Sequence, residues 1–236
     1  MTGDGPGRAS YPWHMAAITL DIKSELPKAI RWTDAMTKQL PFAISQALNS
    51  TGFDIRGSLK GASRQYFDNP TTFIQNAWQV DKSNKRDLAV TVFPEAKRVR
   101  YLRKNITGGQ RGLKPFEVKY FSQASASLPA GSKLVPANIP LNAQGNVSLA
   151  ALKRITGKIA TTGKGSVFIG TPTGGNRPPG VYQRVNRWVL VPLFVAVPSA
   201  TYRPIFPIHD IGAKVVDRRF STYLRSSLEK ALASAR

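Results

Sequence analysis

Residue types that support phosphate or hydrolytic chemistry occur in this sequence, but their spacing matches no known catalytic motif. Gly163-Lys164-Gly165-Ser166 invites comparison with a phosphate-binding loop. It departs from the G-x-x-x-x-G-K-[ST] pattern because Gly165 takes the Ser/Thr position and the upstream glycine is misplaced. The segment after it is also expected to be a strand rather than a helix. The spacing therefore favours a basic surface turn.

Metal and acid/base sites are equally hard to assemble from the sequence. The chain has no cysteine and only two histidines, His14 and His209, which lie far apart in the sequence. Its thirteen acidic residues contain no pair at a telling spacing, and no G-x-S-x-G motif occurs. A two-carboxylate site assembled in three dimensions, or a cell-wall hydrolase, stays open as a minor alternative. We expect a protein that is not an enzyme and that uses no cofactor or metal.

Positive charge is the strongest signal in the composition. Thirty-four Lys and Arg residues stand against thirteen Asp and Glu, giving a formal net charge of +21 that is spread along nearly the whole chain. Such a charge calls for an acidic partner: nucleic acid, an anionic membrane or an acidic protein face. A membrane is the weakest of these, because the longest apolar segment, residues 189–198, contains two prolines and is shorter than the ~20 residues of a span. The first residues lack a secretory signal, so we expect assembly in a cytoplasm.

One segment combines clustered basic residues with an aromatic ring and a glycine-rich loop. Its candidate contact residues are Arg98, Arg100, Tyr101, Arg103, Lys104, Arg111 and Lys114. They could neutralise DNA phosphates while the ring stacks on a base. They also describe a loop inserted between acidic protein neighbours. No zinc finger, RNP1 pattern or helix-turn-helix accompanies the charge, so a protein contact is favoured over a nucleic-acid site.

Further candidate interface residues are aromatic or lie next to an aromatic residue. They are Tyr11, Trp13, Trp188, Tyr202 and Arg203. Tyr, Trp and Arg are enriched where interface binding energy concentrates. For Trp188 and Tyr202 a plain core role is an equally good prediction.

Hydrophobic periodicity predicts the elements that position these residues. We expect a flexible arm over residues 1–19 and then a helix over 20–48 that Asp21 or Ser24 caps. Pro41 should kink or divide this helix, and Asn49, Ser50 and Gly52 mark its end. Further helices are predicted over 54–66, 96–105, 148–159 and 209–235, the last one amphipathic and packed on a sheet. Strands are predicted over 73–80, 87–93, 166–169 and in a pair within 182–197.

These elements predict an α+β fold. A mostly antiparallel sheet should be flanked by the N-terminal helix and the long C-terminal amphipathic helix, with extended loops. Residues 20–236 are expected to form a single domain, with a loop-rich insertion around 121–161.

Several short segments resemble the minor tail protein Z type of phage virion proteins. They are Arg100-Tyr101-Leu102-Arg103, Ile106-Thr107-Gly108-Gly109-Gln110-Arg111, Lys114-Pro115-Phe116-Glu117, Leu134-Val135-Pro136, residues 141–148, Pro179-Gly180-Val181-Tyr182-Gln183-Arg184 and Tyr202-Arg203-Pro204. They follow the expected order over most of residues 20–235, with a departure around 122–161. The resemblance implies a structural subunit of a tailed-phage virion at the neck or head-proximal tail, with a role in tail completion or head-tail joining.

That role would imply several macromolecular partners. They are other copies of the chain in a ring, portal, adaptor or tail-tube proteins, and genomic DNA in the channel. The competing hypothesis is a basic nucleic-acid-binding protein that contacts DNA phosphates, for which affinity should fall steeply with salt.

Overall fold

The chain is described by a computed structural model over residues 17–21, 34–123, 128–159, 166–173 and 175–234. The described helices are α1 (Asp34–Tyr66), α2 (Thr72–Gln75), α3 (Ala96–Thr107), α4 (Pro115–Gln123), α5 (Leu149–Lys158) and α6 (Ile208–Ser234). The described strands are β1 (Ile18–Asp21), β2 (Trp78–Asp81), β3 (Ala89–Pro94), β4 (Gly109–Gln110), β5 (Lys133–Pro136), β6 (Val167–Gly170), β7 (Gly180–Arg184), β8 (Leu190–Val197) and β9 (Thr201–Tyr202). Helices and antiparallel strand pairs together confirm the predicted α+β class.

Contacts divide the chain into two compact units. The first unit is discontinuous, Met1–Gly108 with Arg203–Arg236, and the second is the continuous segment Gly109–Tyr202. The single domain over residues 20–236 stays a prediction, and the two units are the compact parts of the chain. The segment set into the first unit is also much longer than the predicted insertion around 121–161.

The first unit contains a three-stranded antiparallel sheet in the order β1-β3-β2. In its register Ile18 faces Val92 and Trp78 faces Pro94. Val90 and Val92 on β3 are buried, which is where β-branched residues stabilise a sheet. The central strand thus contributes to the core on which the helices pack.

The helices α1 and α6 form the main helical layer of the first unit. The two pack chiefly along one another, and α6 also touches β1, where Gly212 meets Ile18. Most of the predicted apolar stripe of α6 is confirmed: Phe220 and Leu224 pack on Ile44 and Leu48 of α1. Leu232, assigned to the same stripe, is exposed. The prediction that α6 packs on a sheet needs correction, since its principal neighbour is α1.

The predicted break between a first and a second N-terminal helix is wrong, because α1 runs without interruption through Pro41 and Gly52. Tertiary contacts explain the polar residues that suggested a helix end. The Asn49 amide donates to the Ser83 carbonyl at 3.0 Å and accepts from the Ser83 N–H at 2.8 Å. The Thr51 hydroxyl donates to the Ala47 carbonyl within the same helix. Asn, Ser and Gly favour turns in short segments, but in α1 tertiary contacts keep the helix continuous through them.

Two further predictions in this unit need correction at their edges. The predicted helix start near residue 20 is wrong, because Leu20 and Asp21 belong to β1, and its proposed cap at Ser24 lies outside the described residues. The strand predicted over 73–80 is confirmed only at its end, in β2; its start is wrong, because Phe73 lies in the short helix α2 and the strand begins at Trp78. The helix predicted over 96–105 is confirmed as α3.

The second unit is a four-stranded antiparallel sheet, ordered β5-β8-β7-β6, with α4 and α5 packed against it. Its core contains Tyr120 from α4, Ile155 from α5, and Val181 and Phe194 from neighbouring strands. The predicted helix over 148–159 and the predicted strands within 166–169 and 182–197 are confirmed. A two-stranded pair joins the ends of this unit, with Gly109 opposite Tyr202.

Candidate functional site

The turn between β7 and β8 presents the most exposed large side chain of the described residues. Trp188 is 81% exposed, and Val185 and Val189 beside it are 60% and 44% exposed. We call residues 185–189 the hairpin tip. Three apolar side chains held together in solvent at the end of a hairpin are typical of a contact surface.

Local hydrogen bonds fix the conformation of the hairpin tip. The Asn186 side-chain oxygen accepts from the backbone N–H groups of Trp188 and Val189, at 2.9 and 2.8 Å. The Val185 N–H donates to the Val189 carbonyl at 3.0 Å and closes the turn. The Arg187 guanidinium lies 5.2 Å from the Trp188 ring centroid. The indole is therefore presented on an ordered backbone, so binding through it costs little ordering entropy.

A second exposed surface lies on α3 in the first unit. Val99 and Leu102 face the core, and exposed Lys97, Arg100 and Tyr101 lie on the other side together with half-buried Lys104. Arg103, four residues after Val99, is exposed at the edge of the core-facing side. We call Lys97, Arg100, Tyr101, Arg103 and Lys104 the α3 surface. Helical spacing explains the separation, since positions three, four and seven apart share one face. No acidic residue occurs within α3.

Aromatic rings border the α3 surface. Tyr101 meets Phe73 of α2 edge to face, with ring centroids 6.0 Å apart. The Arg100 guanidinium lies 4.8 Å from the Tyr101 ring centroid, and the Arg98 guanidinium lies 4.8 Å from that of Phe73. A guanidinium over an aromatic face is attracted by the ring, and its N–H groups that do not point at the ring can still donate to an anion.

Arg98 differs from its neighbours because its charge is used within the fold. Its guanidinium donates to the Asn76 carbonyl and pairs with Glu95 at 3.1 Å. The same group covers Phe73. Arg98 thus joins α2 to α3. Among the basic residues predicted on α3, it is therefore a poor candidate for binding a partner molecule.

Arg111 in the second unit is engaged even more fully. Its two terminal nitrogens donate to the two oxygens of Glu117, each at 2.6 Å, and the Glu117 side chain is fully buried. Glu117 also accepts from the backbone N–H groups of Lys114, at 2.5 Å, and Leu134, at 2.8 Å. The sequence motif Lys114-Pro115-Phe116-Glu117 is thereby explained as a helix start, with Pro115 at the first helical position and Glu117 reaching back to the preceding N–H.

Electrostatics of the Arg111–Glu117 pair follow from burial and hydrogen bonding. Burial alone raises the pKa of Glu117, but the hydrogen bonds from Arg111, Lys114 and Leu134 outweigh it and hold that pKa below its usual range. The carboxylate in turn raises the pKa of Arg111. Both groups stay charged at neutral pH, so the pair works as a structural clamp between the loop, α4 and β5. Sequence reasoning missed Glu117, although Pro115 followed by Glu117 signals a helix N-terminus.

The remaining predicted contact residues are distributed over the chain. Lys114 is exposed just before α4, Tyr202 lies half-exposed in β9, and Arg203 follows it as an exposed residue. Trp188 and Tyr202 are both exposed, so the alternative prediction of a core role for them is wrong. Tyr11 and Trp13 lie outside the described residues.

Candidate catalytic groups are not brought together in the part of the chain that the structure describes. His209 is exposed in the first turn of α6, and the loop residues 163–165 lie outside the described ranges. Among the described residues, no three histidine, aspartate or glutamate side chains are placed to hold a metal ion. None of the described helices has the length and apolar character of a membrane span.

A cleft of about 420 Å³ lies between α1 and α6. Phe53 and Tyr223 form its aromatic lining, and amide, hydroxyl and Lys230 side chains complete it. The Tyr223 hydroxyl donates to Asp54 at 2.7 Å. The lining is therefore mixed polar and apolar, and Lys230 is its one charged side chain, which does not make the convergent charged set of a catalytic pocket.

In comparisons with known proteins, no family model, curated protein or solved structure matches the chain.

Proposed function

We propose that the chain is a non-catalytic structural subunit of a tailed-phage virion, at the neck or head-proximal end of the tail, acting in tail completion or head-tail joining. The hairpin tip carries the proposal. Trp188 is 81% exposed on a hydrogen-bonded turn, and contact of its apolar ring with water is unfavourable in a free monomer. Burial of the ring against a partner would remove this contact and stabilise the complex. The segments that resemble the minor tail protein Z type support the placement in the particle.

The partners we propose are other copies of the chain in a ring and the portal, adaptor or tail-tube proteins next to it. A ring subunit needs surfaces that contact unlike neighbours. The hairpin tip offers apolar area together with the positive charge of Arg187, and the chain as a whole carries +21. Acidic faces on neighbouring subunits would complement this charge and would steer association.

Light scattering across a salt series tests this proposal. The mass of the purified chain is measured alone and after mixing with portal, adaptor and tail-tube proteins. We expect a ring or a stoichiometric complex whose stability falls as salt rises, because charge attraction contributes to it.

Two variants locate the contact. Trp188→Ser should weaken the complex at least tenfold, since aromatic interface residues commonly contribute 2 kcal/mol or more, about a thirtyfold change in affinity. Leu149→Ser removes another highly exposed apolar side chain of the same unit and should leave the complex intact. A chain that stays monomeric with every candidate protein, or a complex equally sensitive to both variants, would overturn the proposal.

A further inference from the structure

The α3 surface is a second binding feature, separate from the hairpin tip. We infer that it binds the phosphodiester backbone of duplex DNA, with Lys97, Arg100, Arg103 and Lys104 contacting phosphates and Tyr101 beside them. This site depends only on the geometry of α3 and its neighbours in the first unit, so it can stand or fall independently of the proposed virion role.

The cations of this surface form no ion pair with the described acidic residues. Among the described residues, ion pairs are formed by Arg98, Arg111 and Arg219, and none is formed by Lys97, Arg100, Arg103 or Lys104. Four unpaired cations along a twelve-residue helix repel one another unless an anion lies between them. The surface is therefore complementary to a polyanion.

The linear arrangement of the cations favours a nucleic-acid backbone over an acidic protein. At about 1.5 Å of rise per residue, Lys97, Arg100 and Lys104 follow one another at about 4.5 and 6 Å along the helix axis. Each DNA strand carries a charge every ~3.4 Å of duplex axis, so a row of about 10.5 Å covers about three phosphate-to-phosphate intervals. A duplex therefore offers an anion to each cation of the row, whereas carboxylates on a folded protein form no such continuous line.

The aromatic contacts favour the backbone over the bases as the ligand. Arg100 covers one face of Tyr101, and the Tyr101 and Phe73 rings meet edge to face. A base would have to displace the guanidinium in order to stack on that face of Tyr101. The Arg100 guanidinium over the ring instead can donate to a phosphate, and the tyrosine hydroxyl can donate to a neighbouring phosphate oxygen.

Fluorescence anisotropy with a labelled 30-base-pair duplex of mixed sequence tests the inference on the full chain. Affinity is measured between about 50 and 300 mM NaCl. The test variant combines Lys97→Gln, Arg100→Gln and Arg103→Gln, three exposed residues. We expect its affinity at 100 mM NaCl to fall at least tenfold, and the slope of log affinity against log salt to become shallower by about 2 to 3.

A charge-matched control variant separates a local site from general electrostatics. Lys214→Gln, Arg218→Gln and Arg225→Gln remove one lysine and two arginines from exposed positions of α6, on a helix that also carries Asp210, Asp217 and Glu229. This variant has the same net charge as the test variant, and we expect its salt slope to stay within about 1 of the wild-type value. Equal losses in the two variants would overturn the inference.

Two further measurements keep the result interpretable. If the triple variant does not give the far-UV circular dichroism spectrum of the wild type, Arg100→Gln and Arg103→Gln are tested singly, and each should reduce the slope by about 1. Poly-glutamate at equal charge concentration should displace the duplex far less well than unlabelled duplex does. Displacement by poly-glutamate as effective as by DNA would assign the α3 surface to an acidic protein and overturn the inference.

Discussion

At the scale of single residues, the arginines of the basic segment differ in whether an acidic side chain pairs with them. Arg98 and Arg111 are paired within the fold, with Glu95 and Glu117 respectively, whereas Arg100 and Arg103 are exposed. The sequence alone placed all four in one contact region. It could not separate them, because the partner Glu117 lies six residues from Arg111 and is identified only through the turn that precedes α4.

The buried carboxylate gives a first prediction. Glu117→Ala should lower the free energy of unfolding by about 3 to 5 kcal/mol, because it leaves Arg111 unpaired and two backbone N–H groups without an acceptor. Urea unfolding followed by circular dichroism measures the change. Arg219→Gln is the control, because it breaks an ion pair between exposed side chains and should cost no more than about 1 kcal/mol. Similar losses in both variants would contradict the role assigned to Glu117.

The same carboxylate predicts a pH dependence. Its pKa is lower in the folded chain than the unfolded value of about 4.3, so the stabilisation it provides is present above that pH and is lost as pH falls through the folded pKa. Between pH 7 and pH 3, the urea midpoint of Glu117→Gln should therefore fall less than that of the wild type. An identical fall in both proteins would show that other acids dominate acid unfolding.

At the scale of elements, the sequence predicted helix and strand identity well and boundaries less well. The periodicity of α6 and of α5 was sufficient to identify both helices. The predicted end of the first helix at Asn49 and Gly52 was wrong. Asn49 forms hydrogen bonds with Ser83, and Gly52 lets Val90 pack closely against α1, and neither contact can be recognised from the local sequence. The strand pair predicted within 182–197 is confirmed as β7 and β8, and polar Asn186 and Arg187 lie in the turn between them.

A pair of glycines in α1 supplies a prediction at this scale. A Cβ on Gly52 would lie 2.6 Å from a methyl group of Val90, a stiff buried side chain, whereas a Cβ on Gly57 would meet nothing within 4 Å. Gly52→Ala should therefore destabilise the chain, by about 1 to 3 kcal/mol. Gly57→Ala should stabilise it by up to about 1 kcal/mol through helix propensity. Thermal unfolding of both variants checks the opposite signs, and a stabilising Gly52→Ala would show that β3 does not approach α1 this closely.

At the scale of the whole molecule, the net charge was evident from composition, but the division into two units was not. The glycine-rich segment after Thr107 and the proline after Arg203 indicate loops, but loops of this kind also connect elements within one unit. The division arises from contacts between residues far apart in sequence, such as the pairing of Gly109 with Tyr202. Local patterns do not encode such long-range pairings.

The net charge of +21 predicts a salt effect on stability. Because like charges repel more strongly in the compact state than in the expanded one, screening should favour the folded chain. We expect the thermal midpoint to rise between about 20 and 300 mM NaCl, by a few degrees, with a larger rise in sodium sulfate at equal ionic strength. A midpoint that falls with NaCl would indicate that attractive ion pairs outweigh the repulsion.

The pairing of β4 with β9 also has a consequence for the order in which the chain folds. The first unit can form only when Gly108 and Arg203 come together, and bridging them with an unfolded Gly109–Tyr202 segment would cost on the order of 4 kcal/mol of chain entropy. Once the second unit has folded, its own antiparallel pair already holds the two ends side by side. Contacts within the second unit then offset the entropy cost of closing the loop. Gly108 and Arg203 are close in space although 94 residues separate them in sequence, so α6 can pack on α1 without a further closure cost.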